Sequence, residues 1–530
     1  MSSTLQLPLA RFARVLTVAC VLAMAAACSK EAGQAATAKV TEPSTLIVNA
    51  RIVDGSGKAP YSGSVRIRGQ RIAEVGDLKP AEGETVVDAG GLALAPGFID
   101  THSHHDGGLF EQRDALAAVS QGITTIVAGQ DGGNVFAPGE LFSRMTTTPP
   151  AINVATYVGH NSVRHEVMGE DFKRKATEAE IARMSDLVRK GMEEGAIGLS
   201  TGLEYDPGIY SSPEEVMTLA RVAAGYGGRY ISHMRSEDRA IWKALDEIIA
   251  IGRETKMPVQ VSHMKLAMTD WWGQADKFLG IMDRARAEGV NITGDVYPYE
   301  YWQSTLTVMF PDRDFKNRKT AEFVLRSLAP PEGLLISQFT PEPALVDHTV
   351  AQIAKMRGTD PATTLMALIA ESQVPGAEES VIGTSMRSDD VEKLIAWPHS
   401  NICSDGALDD GHPRGAGSFT RVLRLYVRER GTLTLEGAVR KMSAEAAEHM
   451  GIADRGRIEA GTFADLLLFD PATVADHATT KDPHALSTGI RKVWVNGSVV
   501  LEDGKATGAH TGMAVKRAEQ SGGESQVKHN

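Results

Sequence analysis

Apolar residues recur along this chain in two different rhythms. Near one end, residues 45–53, 64–69 and 71–76 form short apolar runs broken by Gly and Asp, the pattern of strands joined by tight turns. The same rhythm returns at 464–470, 490–496 and 498–502, where Asn496-Gly497 is a hairpin signal. Between them the pattern changes. Strand candidates at 97–101, 123–128, 152–158, 196–200, 229–232, 258–262, 291–297, 380–385 and 401–403 alternate with amphipathic stretches such as 178–194, 213–226 and 239–254. Strands alternating with helices predict a parallel sheet, and eight such units predict a closed (β/α)8 barrel. Nine candidates are one too many. Residues 291–297 are taken as the seventh strand, and 380–385 falls in an insertion over about 300–395 that would cover the barrel mouth as a lid.

The expected fold class is therefore α/β: a barrel over residues 96–449 with a small β-sandwich domain built from both ends, 44–95 and 450–515. Residues 516–530 are polar and read as a disordered tail. At 530 residues the chain is long enough for both units. The net charge of −12, without a basic cluster, excludes nucleic acid as an expected partner.

The first residues read as a targeting segment. Arg11 and Arg14 precede an apolar run, Val15 to Ala27, that is too short to span a bilayer. Ala25-Ala26-Ala27-Cys28-Ser29 then resembles a bacterial lipobox, with Ala25 where Leu is commoner. On this reading residues 1–27 are a signal peptide, Cys28 carries the lipid and is the sole membrane contact, and residues 28–43 are a tether. The protein is then exported, periplasmic or anchored to the outer membrane of a Gram-negative cell. Ordinary cleavage after the A-x-A site would leave it soluble in the periplasm. Cys20 departs with the signal peptide and Cys403 is left without a partner, so no disulfide is expected.

The strand ends carry the chemistry. His102 and His104 close the first barrel strand at i and i+2, a spacing that puts both imidazoles on one face. Asp131 follows the second strand, His233 and His263 close the fifth and sixth, thirty residues apart, and Asp405 follows the last. Barrel chemistry sits at these C-terminal ends. Four imidazoles with carboxylates suit a borderline divalent ion, zinc above all. A carboxylate beside a water activated by such an ion can take its proton and pass it to a leaving amine, so Asp405 is the candidate general acid/base of an amide hydrolase.

With these residues in view, the chain resembles the amidohydrolase superfamily, and within it the N-acyl-D-amino-acid deacylases, over about residues 44–515. The blocks that carry the resemblance are Ala95 to Asp106, Gly159-His160-Asn161-Ser162-Val163-Arg164, Gly198 to Gly208, Asp295 to Tyr299, Ser404-Asp405-Gly406, His412-Pro413-Arg414, and Gly461 to Leu466 in the form G-x-x-A-D-L. The resemblance implies zinc held by His233 and His263, a second, weaker position at His102 and His104, and Asp405 as general acid/base. The family commonly has cysteine after the second strand, in a G-N-C-G run. Here Asp131 stands in its place, and a harder oxygen ligand favours two ions or tolerance of cobalt or manganese. No lysine stands in Ile197-Gly198-Leu199-Ser200, which argues against the branches that use a carbamylated lysine. The stretch between Tyr301 and Met356 is shorter than the family's usual insertion, implying a reduced lid.

The substrate class implied is an N-acyl-D-amino acid, whose carboxylate needs a cationic or hydrogen-bonding clamp. Arg414 and Lys265 are candidates by charge. Tyr205, Tyr297 and Ser304 are candidates by family position, and His160 is as compatible with a structural role as with a substrate contact. Two alternatives stay open: a metallo-dipeptidase that cleaves X-D-amino acid bonds, and a surface lipoprotein that binds a ligand without catalysis.

Overall fold

The computed structural model describes residues 43–409 and 411–518. The segments read from the sequence as signal peptide and tether, the expected lipidation site Cys28 and most of the polar tail lie outside these residues. Among the described residues no helix is long and apolar enough to cross a membrane.

Eight parallel strands form the barrel: β1 Phe98–Asp100, β2 Ile123–Ala128, β3 Asn153–Thr156, β4 Gly198–Gly202, β5 Arg229–His233, β6 Val259–Val261, β7 Ile292–Val296 and β8 Ser400–Ile402. Each is buried on both faces except at Arg229, as a sheet covered by helices requires. β3 hands over to a short continuation, Val158–Gly159, so that Asn153–Thr156 pairs with β2 while Val158–Gly159 pairs with β4. The Ile197 N–H donates to the Thr156 carbonyl at 2.9 Å across this break. The ring closes between the ends of β8 and β1, where the Asp405 N–H donates to the His102 carbonyl and the His104 N–H to the Gly406 carbonyl, both at 2.9 Å. Two helices that pack on the outside start as their sequences direct. Thr177 and Glu180 form a capping box on Glu178–Glu194, and Ser212 caps Pro213–Gly225.

The small domain is one continuous nine-stranded sheet drawn from both ends of the chain. Ser44–Ile52 pairs antiparallel with Tyr61–Arg68, and parallel with Thr85–Asp88 and Ala93–Pro96. Ala93–Pro96 in turn pairs with Leu466–Phe469 and so joins the two halves. The halves enclose a shared core that includes Ile47, Ile67, Leu94, Leu466 and Trp494. The Asn496-Gly497 hairpin has both residues at positive φ, 49° and 81°, as a type I′ turn needs. Ala93–Pro96 and Thr85–Asp88 escape the strand pattern because each is only four residues long and the first ends in proline.

Residues 380–385 are outside the barrel. Glu379–Thr384 is the central strand of a three-stranded antiparallel sheet with Tyr301–Ser304 and Leu334–Phe339. Helices Arg318–Ser327, Val350–Arg357 and Pro361–Ser372 accompany it. The insertion has its own core, including Leu306, Phe310, Ile336, Leu365 and Val381, so it is a folded layer rather than a flap. The C-terminal end also differs from expectation. The Val515 N–H donates to the Val154 carbonyl at 2.8 Å and the Arg517 N–H to the Gly195 carbonyl at 2.9 Å. Chain assigned to the small domain and to a disordered tail is therefore docked on the barrel as far as Arg517.

A buried polar latch ties the small domain to the N-terminal ends of the barrel strands. Asp465 Oδ2 meets the guanidinium of Arg455 and accepts from Asn153 of β3 at 3.2 Å, while Oδ1 accepts from the Asn496 N–H at 2.8 Å. The Asp465 carbonyl accepts from the Gly97 N–H at 2.7 Å, just before β1. Gly97 has to be glycine there, since a Cβ would come within 2.2 Å of Thr124 Oγ1. This latch explains the G-x-x-A-D-L block as structural. Asp465→Ala leaves Arg455 buried without its counter-charge and is expected to cost about 3–5 kcal/mol. Denaturant unfolding would measure this, and a loss below about 1 kcal/mol would show that the latch is not holding the domains.

Candidate metal centre and cleft

The strand-end donors converge at the barrel mouth. His102 Nε2 lies 3.4 Å from Asp131 Oδ2 and 3.3 Å from Asp405 Oδ1. His104 Nε2 lies 3.5 Å and 3.4 Å from the same two oxygens. A second group adjoins the first. His263 Nε2 is 3.4 Å from Asp131 Oδ1 and 3.0 Å from His233 Nδ1. Asp131 therefore offers one oxygen to each group, the arrangement of a shared ligand.

Two observations test whether a cation fits. Neither ring nitrogen of the fully buried His102 has a hydrogen-bond partner, and neither does Asp131 Oδ1. Buried groups left this way are expensive unless something else takes them. Moreover, 3.3–3.5 Å is long for a hydrogen bond, yet donors sharing one tetrahedral ion at about 2.0–2.1 Å lie about 3.3–3.4 Å apart. His102, Asp131, His263 and Asp405, with ligand atoms all within 4.8 Å of one another, could hold one such ion with His104 beside them, and His233, Glu237 and His263 form a second group of this kind.

The backbone is bent to achieve this. Asp131, His263 and Asp405 all have positive φ, 51°, 33° and 50°. Aspartate and histidine enter that region more readily than most residues, but a backbone kept there is still held by its surroundings. For His263 the holder is Asp295 on β7. Its Oδ1 accepts the His263 N–H at 2.5 Å, and its Oδ2 accepts from Gln260 at 2.6 Å.

The surrounding carboxylates favour the protonated, positively charged forms of His102, His104 and His263. Burial would push Asp405 up, but the Arg414 guanidinium, with His263 and His102, holds its carboxyl well below the usual range. Burial likewise opposes charge on His104, yet hydrogen bonds to Asp131 and Asp405 push it up to about 9. Cys403 is different. Burial, reinforced by Asp295, keeps its thiol protonated and unsuited to ligation.

Two carboxylates escaped the sequence reading. Glu204 Oε2 is 3.0 Å from His233 Nε2, on the side of the ring away from His263. Glu237 lies 3.1 Å from His263 Nδ1 and accepts from Lys265 Nζ at 2.8 Å with both oxygens. Carboxylates in these places fix ring orientation and tautomer. Glu204 stands inside the Gly198–Gly208 block and so was visible. Glu237 sits in a loop four residues after His233, where no periodicity marks it. The one available signal was that a buried Lys265 needs a counter-charge.

The substrate candidates divide. Tyr205, Lys265, Tyr297, Ser304 and Arg414 line a cavity of about 520 Å³ that opens from the cluster. The Tyr205 ring is 4.3 Å from that of His233, and the Arg414 guanidinium lies over Tyr297 at 5.1 Å. Both cations already have partners, Lys265 with Glu237 and Arg414 with Asp405. His412 braces Arg414 by accepting its N–H at 3.0 Å. His160 does not line the cavity. It is fully buried and 2.9 Å from Glu215 Oε1, while Arg164 pairs with the other oxygen. The G-H-x-x-x-R block is thus a clamp between helices, with His160 and Arg164 on one face at i and i+4.

Comparison with known proteins agrees with this geometry. The model of the amidohydrolase family matches residues 85–330 and 330–501. The chain belongs to the amidohydrolase family. It is 37% identical to a D-aminoacylase of Alcaligenes xylosoxydans xylosoxydans, over 89% of this chain and 97% of that one. It is also 37% identical to an N-acyl-D-glutamate deacylase of the same organism, over 85% and 92%. A crystal structure of an N-acyl-D-glutamate deacylase from Bordetella bronchiseptica, complexed with zinc and a phosphonate mimic of the tetrahedral intermediate, superimposes with a TM-score of 0.80. It is 35% identical to this chain and covers 90% of it and 100% of its own length.

This amidohydrolase is a metal-binding hydrolase, and Glu237 should matter to it through the metal. Glu237→Gln is expected to weaken metal binding about 10- to 100-fold, read by chelator competition with metal content as the signal. Unchanged affinity would limit Glu237 to pairing with Lys265.

Proposed function

We propose that the protein hydrolyses the amide bond of N-acyl-D-amino acids, releasing a carboxylate and a free D-amino acid. The observation that carries this reading is the convergence of His102, His104, Asp131, His263 and Asp405 at 3.3–3.5 Å, in a chain whose relatives act on such substrates. Zinc suits the donor set, and the oxygen ligand Asp131 makes two ions of similar standing the expected stoichiometry. When bound, a divalent ion supplies polarisation of the acyl oxygen and a lowered pKa for water.

The remaining work belongs to this chain's own residues. Asp405 presents Oδ1 to the histidine pair and gives Oδ2 to Arg414. It is therefore oriented and ionised, ready to take the proton of the attacking water. As the C–O bond forms and the C–N bond breaks, Asp405 returns that proton to the departing nitrogen. Arg414 and Lys265 place positive charge where the substrate carboxylate enters, and the Tyr297 hydroxyl, buried without a hydrogen-bond partner, is a further donor. A binding-only role would not require a carboxylate so placed and so acidic. Cleavage of X-D-amino acid bonds is the second reading, favoured by Asp106 and Asp238 on the cavity wall, which suit a free amine.

The deciding assay is amine release by the zinc-loaded protein from matched N-acetyl-D- and N-acetyl-L-amino acids. Turnover of the D series alone is expected. Turnover of D,D-dipeptides with none of the N-acetyl series would transfer the assignment to a dipeptidase. Asp405→Asn should lower kcat by about 100- to 10,000-fold with zinc content largely retained. Substantial residual turnover would remove Asp405 from proton transfer.

A further inference from the structure

The interior of a (β/α)8 barrel is usually filled by apolar side chains. Three adjacent strands of this one carry polar residues instead. Gln260 on β6, Thr293 and Asp295 on β7 and Asn401 on β8 are all buried, and the strand register sets Gln260 beside Thr293 and Asp295 beside Asn401. None of the four lines the cavity. The helix Ala444–Met450 packs beneath them. Its Ala446, Ala447 and Met450 share a core with Ile99, Val127 and Ile231 of β1, β2 and β5, and His449 on the same helix reaches Asn401.

The hydrogen bonds in this layer form a chain with one direction. Its fixed end is the Asp295 carboxylate, which accepts the His263 N–H through Oδ1 and the Gln260 amide N–H through Oδ2, at 2.6 Å for the latter. That contact turns the Gln260 carbonyl the other way, where it accepts from Thr293 Oγ1 and Asn401 Nδ2, both at 3.0 Å. Asn401 is thereby oriented too. Its carbonyl faces His449 Nδ1 at 2.7 Å, so the His449 tautomer is the one with hydrogen on Nδ1. Burial, with Arg286, His399, Lys441 and Arg229 nearby, pushes His449 down to about 3 and keeps it neutral. Each amide has one orientation that satisfies its neighbours, and turning any of them over sets acceptor against acceptor.

We infer that Gln260, Asn401 and His449 are positioning residues of the metal centre: their one-way chain holds the Asp295 carboxylate, which in turn holds the backbone bend that aims His263 at Asp131. They act through Asp295 rather than on the ions. A chain of this kind explains why polar side chains occupy a layer that apolar ones would otherwise fill.

The test is zinc affinity by chelator competition, measured on folded protein, so it is independent of which amide is hydrolysed. Gln260→Met keeps the length of the side chain and removes the donor to Asp295. Asn401→Asp still accepts from His449 but has no N–H to give, so Gln260 must turn over and present its carbonyl to Asp295 Oδ2. Each is expected to weaken zinc binding about tenfold or more. His449→Leu removes the last donor and should cost about threefold, and His449→Asn, whose amide N–H can stand where the Nδ1–H stood, should recover it. Wild-type affinity in Asn401→Asp, with only the melting temperature lowered, overturns the inference, because a purely structural layer would behave that way. Equal affinity of His449→Leu and the wild type strikes His449 from the chain. Should Gln260→Met fail to fold, Asn401→Asp decides alone.

Discussion

The structure depends on a concentration of buried charge at the barrel mouth. Asp131, Glu204, Glu237 and Asp405 crowd against His102, His104, His233 and His263 at the inner end of the cavity. Carboxylates packed this densely demand cations, and the molecule answers at several levels. Arg414 is committed to Asp405, Lys265 is committed to Glu237, and the imidazoles stand where a divalent ion would be shared. The positive-φ backbone at His263 belongs to the same response, since it turns the ring toward Asp131 while Asp295 holds its N–H.

Building the site and closing the barrel are one event. The hydrogen bonds that join the ends of β8 and β1 run between Asp405 and His102, and between His104 and Gly406, so the proposed general acid/base and two candidate metal donors are also the seam of the ring. At the other end of the strands the small domain is latched through Asp465, Asn153 and Asn496. Stability and chemistry are thus largely separated along the strand axis, as barrel enzymes commonly arrange them, and the polar chain from His449 to Asp295 runs between them. The insertion adds a third element, an apolar wall of the cavity in which Met309 and Leu328 are fixed by the insertion's own core.

Much of this was legible beforehand. The barrel could be read because short strand candidates alternate with amphipathic helical stretches along the chain, and the donors because each stands at or just after the end of such a strand. His102 and His104 declare themselves by their i, i+2 spacing alone. The Asn496-Gly497 hairpin was equally plain, because a type I′ turn restricts residue choice. Other residues were misplaced for physical reasons. His160 stays open in the sequence between a substrate contact and a structural role, because its partner Glu215 is 55 residues away and the pairing exists only once two helices pack. Arg517 looked like a disordered tail because a docked segment with two polar anchors has no apolar signature of its own.

What the sequence by itself determined is which chemistry is present and at which strand ends, because hydrophobic period and residue type are local properties. It also fixed Asp131 in place of the family's cysteine. What only the tertiary structure decided is how the charges are partnered. That Lys265 belongs to Glu237, Arg414 to Asp405, and one oxygen of Asp131 to each histidine group follows from distances between residues far apart in the chain. The same holds for the insertion wall, where Trp302, Val308, Met309 and Leu328 become one surface only when three segments fold together. Local patterns encode which residues can act, but electrostatic partnership and cavity shape are long-range, and they arise only when the ring closes.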